Sequence, residues 1–153
     1  MLKKEKNKDR QKNNDVHYLE TTIGKIEYTD ESIYNFPEGL YGFKEHKNFI
    51  IWGGEQYRPF KLLISVDDPN LFFPLINPKI LKPDYNPNIK DVTDWEFMCT
   101  IVTIGTSQDD VTVNMRAPIV FSKKDKWGKQ IILTDSNYLI RHKIVNPIKS
   151  NGV

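Results

Sequence analysis

From Tyr18 onward the hydrophobic positions come in short runs broken by turn residues, and no stretch carries the three-to-four spacing of a long amphipathic helix. Tyr18–Ile23 and Lys25–Tyr28 flank Gly24 and read as a hairpin or one bent strand. Thr29 is placed to cap a single helical turn. Residues Asn48–Trp52 and Phe60–Val66 are strand-like, the second ended by Asp67-Asp68-Pro69-Asn70. Leu71–Ile76 follows with Pro74 inside it, so the pattern predicts an edge strand or a bulge. The prolines at 78, 83 and 87 predict an extended passage over 77–90, and Asp91–Trp95 offers one helical turn. Glu96–Ile104 is apolar on both faces and reads as a central strand. Val111, Val113 and Met115 alternate with polar neighbours, and Ile119–Ser122 and Gln130–Thr134 flank a polar loop at Lys123–Lys129. The pattern predicts an all-β fold, a small antiparallel barrel or barrel-like sandwich with one or two short helical turns.

Charge divides the chain. Residues 1–15 hold six Lys/Arg and three acids, whereas the other 138 residues carry 16 bases and 17 acids. The reading is therefore a disordered basic extension over 1–17, a β domain over 18–145 and a flexible tail over 146–153. No apolar run approaches the roughly 20 residues of a membrane span, and no apolar stretch follows the basic start. A cytoplasmic protein with no membrane partner is expected. The one cysteine, Cys99, lies in an apolar run and reads as a small buried hydrophobe.

The search for chemistry yields little. His17, His46 and His142 have no metal-ligand spacing, and no phosphate-binding glycine motif or nucleophile elbow is present. Ser65, Asp67 and His142 could be drawn together as a triad only by distant folding; Asp67-Asp68-Pro69 reads more simply as a turn held by its own side chains, Asp67 included. Aromatics stand among bases at Tyr57-Arg58, around Trp127 and at Tyr138 to Lys143, the pattern a nucleic-acid platform would use. No catalytic residue, metal or cofactor is expected. The leaning is towards a binding role.

The stretch Phe36-Pro37-Glu38-Gly39-Leu40-Tyr41-Gly42-Phe43, with Ser65-Val66-Asp67-Asp68-Pro69, resembles the signature of the flagellar assembly factor family, FliW. Gly24 to Glu27, Pro59-Phe60, Phe73, Pro83-Asp84-Tyr85, Ala117 to Val120, Gly128 to Gln130, and Tyr138 with Ile140-Arg141-His142 continue the resemblance in order. The resemblance implies a non-enzymatic barrel with two protein partners: flagellin, and the RNA-binding translational repressor CsrA, whose release would couple flagellin export to flagellin translation. Direct nucleic-acid binding through the basic tail and Arg141-His142-Lys143 is the alternative. With so little negative charge on the body, electrostatic steering towards a basic partner is expected to be weak. Phe36, Pro37, Gly39, Leu40, Gly42, Phe43, Ser65, Asp67, Asp68 and Pro69 are expected to be structural, with Phe36 and Phe43 pinning the turn to the core. An extended passage beside an open sheet edge suits a partner, so Phe73, Tyr85 and Trp95 are the expected partner contacts, followed by Tyr138 and Arg141.

Overall fold

The computed structural model describes residues 15–107, 110–134 and 136–144. The expected C-terminal tail lies outside them, as does the extension up to residue 14; Val16 and His17 are already in the first strand. Among the described residues eleven strands follow in chain order: β1 Val16–Thr21, β2 Gly24–Thr29, β3 Ile33–Asn35, β4 Asn48–Trp52, β5 Lys61–Ser65, β6 Phe72–Ile76, β7 Phe97–Ile104, β8 Val111–Val113, β9 Ile119–Ser122, β10 Trp127–Gln130 and β11 His142–Lys143. One four-residue helix, α1 at Pro78–Leu81, lies between β6 and β7.

Seven of the strands close a barrel in the order β7, β6, β5, β4, β3, β10, β9, returning to β7. The closing strand is the expected central one. Its first half pairs with β9 through Phe97–Cys99 and its second half with β8 through Val102–Ile104, so one long strand both seals the barrel and carries the β8–β11 extension. Every pairing is antiparallel except the single β3–β10 step at Asn35 and Trp127.

The apolar residues of the barrel strands alternate between two buried faces. Phe49, Leu63, Leu75 and Cys99 point inwards with Phe36, Leu40, Ile119 and Phe121. Ile50, Leu62 and Ile64 point outwards and are covered by Leu19 and Ile26 of the β1–β2 hairpin. Ile76 and Val102 point outwards on another side, under Tyr85, Val113 and Met115. Strands covered on both faces read as continuous apolar runs, which is why Phe60–Val66 and Glu96–Ile104 show no clean period of two.

Several expectations need correction. Pro74 does not mark an edge: β6 lies between β5 and β7. The ring is tolerated because the ladder to β7 covers only Leu75 and Ile76, one residue further on. Residues 77–90 are not uniformly extended, since Asn77 accepts the Lys79 N–H at 3.0 Å and Pro78 occupies the first helical position, together starting α1. Asp91–Trp95 forms no helical turn. The polar loop is a tight Lys123–Lys126 turn, with Lys126 at φ 56°, so β10 begins at Trp127 and ends where Gln130–Thr134 was expected to begin.

Cys99 is buried as expected, and burial pushes its thiol up to about 11. Almost none of it is thiolate near neutral pH, and the thiolate is the nucleophile. An aromatic disulfide reagent should therefore label the folded chain slowly and the urea-unfolded chain within the mixing time. Equal rates would contradict the burial.

Candidate partner-docking loop

The Phe36–Phe43 stretch forms two consecutive turns between β3 and β4. The Gly39 N–H donates to the Phe36 carbonyl at 2.9 Å, and the Phe43 N–H to the Leu40 carbonyl at 2.8 Å. Pro37 sits at the second position of the first turn, and Gly42, at φ 88°, at the third position of the second. Gly39 is at φ 65°, and a Cβ there would lie 2.7 Å from the Lys44 backbone. Both glycines are thus required by geometry, Gly39 twice over.

Other elements brace the loop from three directions. Phe36 is fully buried, its ring edge-on to Phe49 at 5.1 Å and to Phe121 at 5.8 Å. Gly128 on β10 makes room for it, since a Cβ at that position would lie 2.2 Å from the ring. Gln130 accepts the Tyr41 N–H at 2.8 Å and donates to the Ala117 carbonyl at 3.3 Å. Lys47 Nζ donates to the Pro37 carbonyl at 2.9 Å. Three of the resembling motifs, distant in sequence, therefore meet around one loop.

A fourth, the Ser65–Pro69 turn, joins through His46. Its Nδ1 lies 3.0 Å from Ser65 Oγ, which also accepts the Asp68 N–H at 3.1 Å. Asp68 in turn accepts the Asn70 N–H at 3.1 Å. The turn is held by Ser65 and Asp68; Asp67 is exposed and takes no part in these bonds. The imidazole beside Ser65 is that of His46, whereas His142 lies on β11 opposite Val113, so the Ser65, Asp67 and His142 grouping does not assemble. Ser65 is fully buried and its oxygen is occupied by the turn.

Phe43 departs from its expected role. It is 38% exposed and stands edge-on to Phe73 at 5.1 Å rather than in the core. Tyr41, between the two glycines, is 76% exposed although its backbone is fixed. Phe72 is also exposed. An aromatic held on a rigid backbone and presented to solvent is the usual form of an interface anchor, because little freedom is lost on docking. Tyr41 is not among the contacts expected from the sequence; its sign there is an aromatic enclosed by glycines in a turn too short to bury it.

The other expected contacts are dispersed. Phe73 is half-buried under Phe43. Tyr85 is buried: its hydroxyl donates to the Met115 carbonyl at 2.7 Å, and its ring lies 4.6 Å from that of Tyr138. Burial there pushes the phenol well above its ordinary range, so it stays a donor at every ordinary pH. Tyr85 thus presents no surface to a partner; it supports the 77–90 passage from beneath. Tyr138 is half-buried and accepts the Asn86 N–H at 3.1 Å. Trp95 is half-buried ahead of β7, and Arg141 is exposed ahead of β11. Replacing Tyr85 by phenylalanine should cost about 1–3 kcal/mol, the range for a buried acceptor left unpaired, as read from urea denaturation. An unchanged midpoint would mean that water replaces the hydroxyl.

Among the described residues, no group of three His, Cys, Asp or Glu is placed to hold a metal ion, and no helix is long and apolar enough to cross a membrane. The fold and this surface define a small closed-barrel domain that presents a braced aromatic loop. The FliW protein family profile matches residues 17–144. A flagellar assembly factor FliW of Caldanaerobacter subterraneus subsp. tengcongensis is 37% identical over 138 residues, 84% of this chain and 92% of the relative. The FliW of Thermotoga maritima is 31% identical over 139 residues, 84% of this chain and 93% of the relative. A crystal structure of the flagellar assembly factor FliW superposes with a TM-score of 0.75 at 35% identity, covering 83% of this chain and 96% of that one. The chain belongs to the FliW family.

Proposed function

We propose that this chain is a cytoplasmic, non-catalytic flagellar assembly factor that binds flagellin before export and, once free of it, antagonises the translational repressor CsrA. Membership of the family supports the pathway. The observation that carries the binding role is the Phe36–Phe43 loop, with Tyr41 exposed on a backbone fixed by Gln130. A switch between two partners needs only coupled equilibria: one partner must lower the affinity for the other, and the coupling is the same in both directions. No covalent step is required.

Affinity capture of the tagged chain from flagellated cells, followed by mass spectrometry, tests this. Flagellin and a CsrA-type protein should be enriched and should survive a wash in high salt, as an apolar interface does. Binding through phosphates would weaken steeply with salt. Recovery of neither protein, or of nucleic acid lost on the salt wash, would contradict the proposal.

A further inference from the structure

Beside the aromatic loop lies a small cleft that the loop only half encloses. Pro37 and Glu38 form one wall, and Trp127, Gly128 and Lys129 of β10 form the other, around a volume of about 260 Å³. The walls are mostly apolar: the Pro37 ring, the half-buried Trp127 indole and the bare backbone of Gly128. A Cβ on Gly128 would point at the buried Phe36 ring, so this residue turns only backbone to the cleft. Glu38 and Lys129 meet at 3.4 Å, both partly exposed.

The surroundings are basic. The Lys126 carbonyl accepts the Asn35 N–H at 2.9 Å, and the Lys47 carbonyl accepts the Phe36 N–H at 2.7 Å, so the two lysines flank β3 on either side. Lys123 and Lys124 continue the turn. The loop with its flank, residues 36–47, and the β9–β10 turn, residues 122–130, carry six lysines, at 44, 47, 123, 124, 126 and 129, against four carboxylates, at 38, 45 and 125 and at Glu96 bound to the turn. Of these, Glu96 is engaged by the backbone N–H groups of Lys123 and Lys124. Lys126 and Lys123 rest over the rings of Tyr34 and Phe97, at 4.9 and 5.5 Å, which holds the ammonium groups in place.

We infer that this cleft takes an apolar side chain from a protein partner whose flanking residues are acidic. The inference rests on the proposed role as a protein-binding assembly factor and assigns to it a second contact next to Tyr41. The small, half-enclosed apolar volume suits a single anchor, and the excess of lysines sets the sign of the flanking charge. A nucleic-acid strand would need base-stacking faces in series, whereas the cleft offers one indole, partly covered.

The test uses the full chain, isotopically labelled, and a short blocked peptide with a central Leu-Phe step between aspartates. Its controls are the same peptide with lysines for aspartates, and an oligothymidylate. The acidic peptide should shift the amide signals of residues 38, 39 and 127–129 and the Trp127 indole N–H, and the Lys129→Glu chain should bind it about tenfold more weakly. Equal binding of both peptides, shifts confined to other regions, or shifts with the oligonucleotide but not the acidic peptide would overturn the inference. Titration with flagellin separates the two proposals. Flagellin that binds without moving the cleft signals removes the cleft from the interface and leaves the assembly role standing. A cleft that takes the acidic peptide in a chain that captures neither flagellin nor CsrA stands without that role.

Discussion

Replacing Phe36 by alanine should lower the unfolding free energy by about 3–5 kcal/mol, the range for emptying a buried aromatic site. The ring has no exposed surface and meets Phe49 and Phe121 edge-on. The cavity has little means of closing, because Gly128 on the opposite strand has no side chain to move into it. At this chain length each kcal/mol moves the thermal midpoint by about 2–4 °C, so a shift on the order of 10 °C is expected by circular dichroism. Phe36→Leu should recover a large part of the loss. A midpoint within about 3 °C of the parent would mean that the loop is seated by its hydrogen bonds alone.

Gly39→Ala should be nearly as damaging, through the backbone. A left-handed conformation costs a residue with a Cβ about 1–3 kcal/mol where the surroundings impose it. The new methyl group would also press on the Lys44 backbone, which cannot swing aside as a side-chain end could. Gly42, also left-handed, has open space around its Cα, so Gly42→Ala should incur the backbone strain only. Urea midpoints of the two variants separate strain from contact, with Gly39→Ala the lower. The reverse order would show that the loop can rearrange around Lys44.

Much of the barrel is legible in the sequence, because its strands are short and punctuated. Asn48–Trp52 and Ile119–Ser122 have the bounds that their composition suggests. The doubly covered strands hide their period but announce their centrality. The β3–β10 pairing is not legible: a three-residue strand meets its parallel neighbour through one residue pair, and only tertiary closure requires it. Pro74 misleads because the rule against proline within sheets applies where an N–H is needed, and the neighbouring ladder stops one residue short.

The site divides in the same way. The glycines of the signature loop can be read from the turns they permit. The exposure of Tyr41 and Phe43 and the burial of Tyr85 depend on which elements cover them: Gln130 holds Tyr41 by its backbone alone, whereas Met115 draws in the Tyr85 hydroxyl. Aromatic content alone does not distinguish a ring left in solvent, such as Tyr41, from one buried as a support, such as Tyr85.

The central claim is that the braced loop docks a protein partner through Tyr41. Isothermal titration of flagellin into the parent chain and into Tyr41→Ala tests it most directly. Tyr41 is 76% exposed and its backbone bond to Gln130 does not involve the ring, so the variant should keep the parent's thermal midpoint. Its Kd should rise by about tenfold or more, the loss expected for an aromatic anchor. A Kd unchanged from the parent's, in a chain with an unchanged midpoint, would contradict the claim.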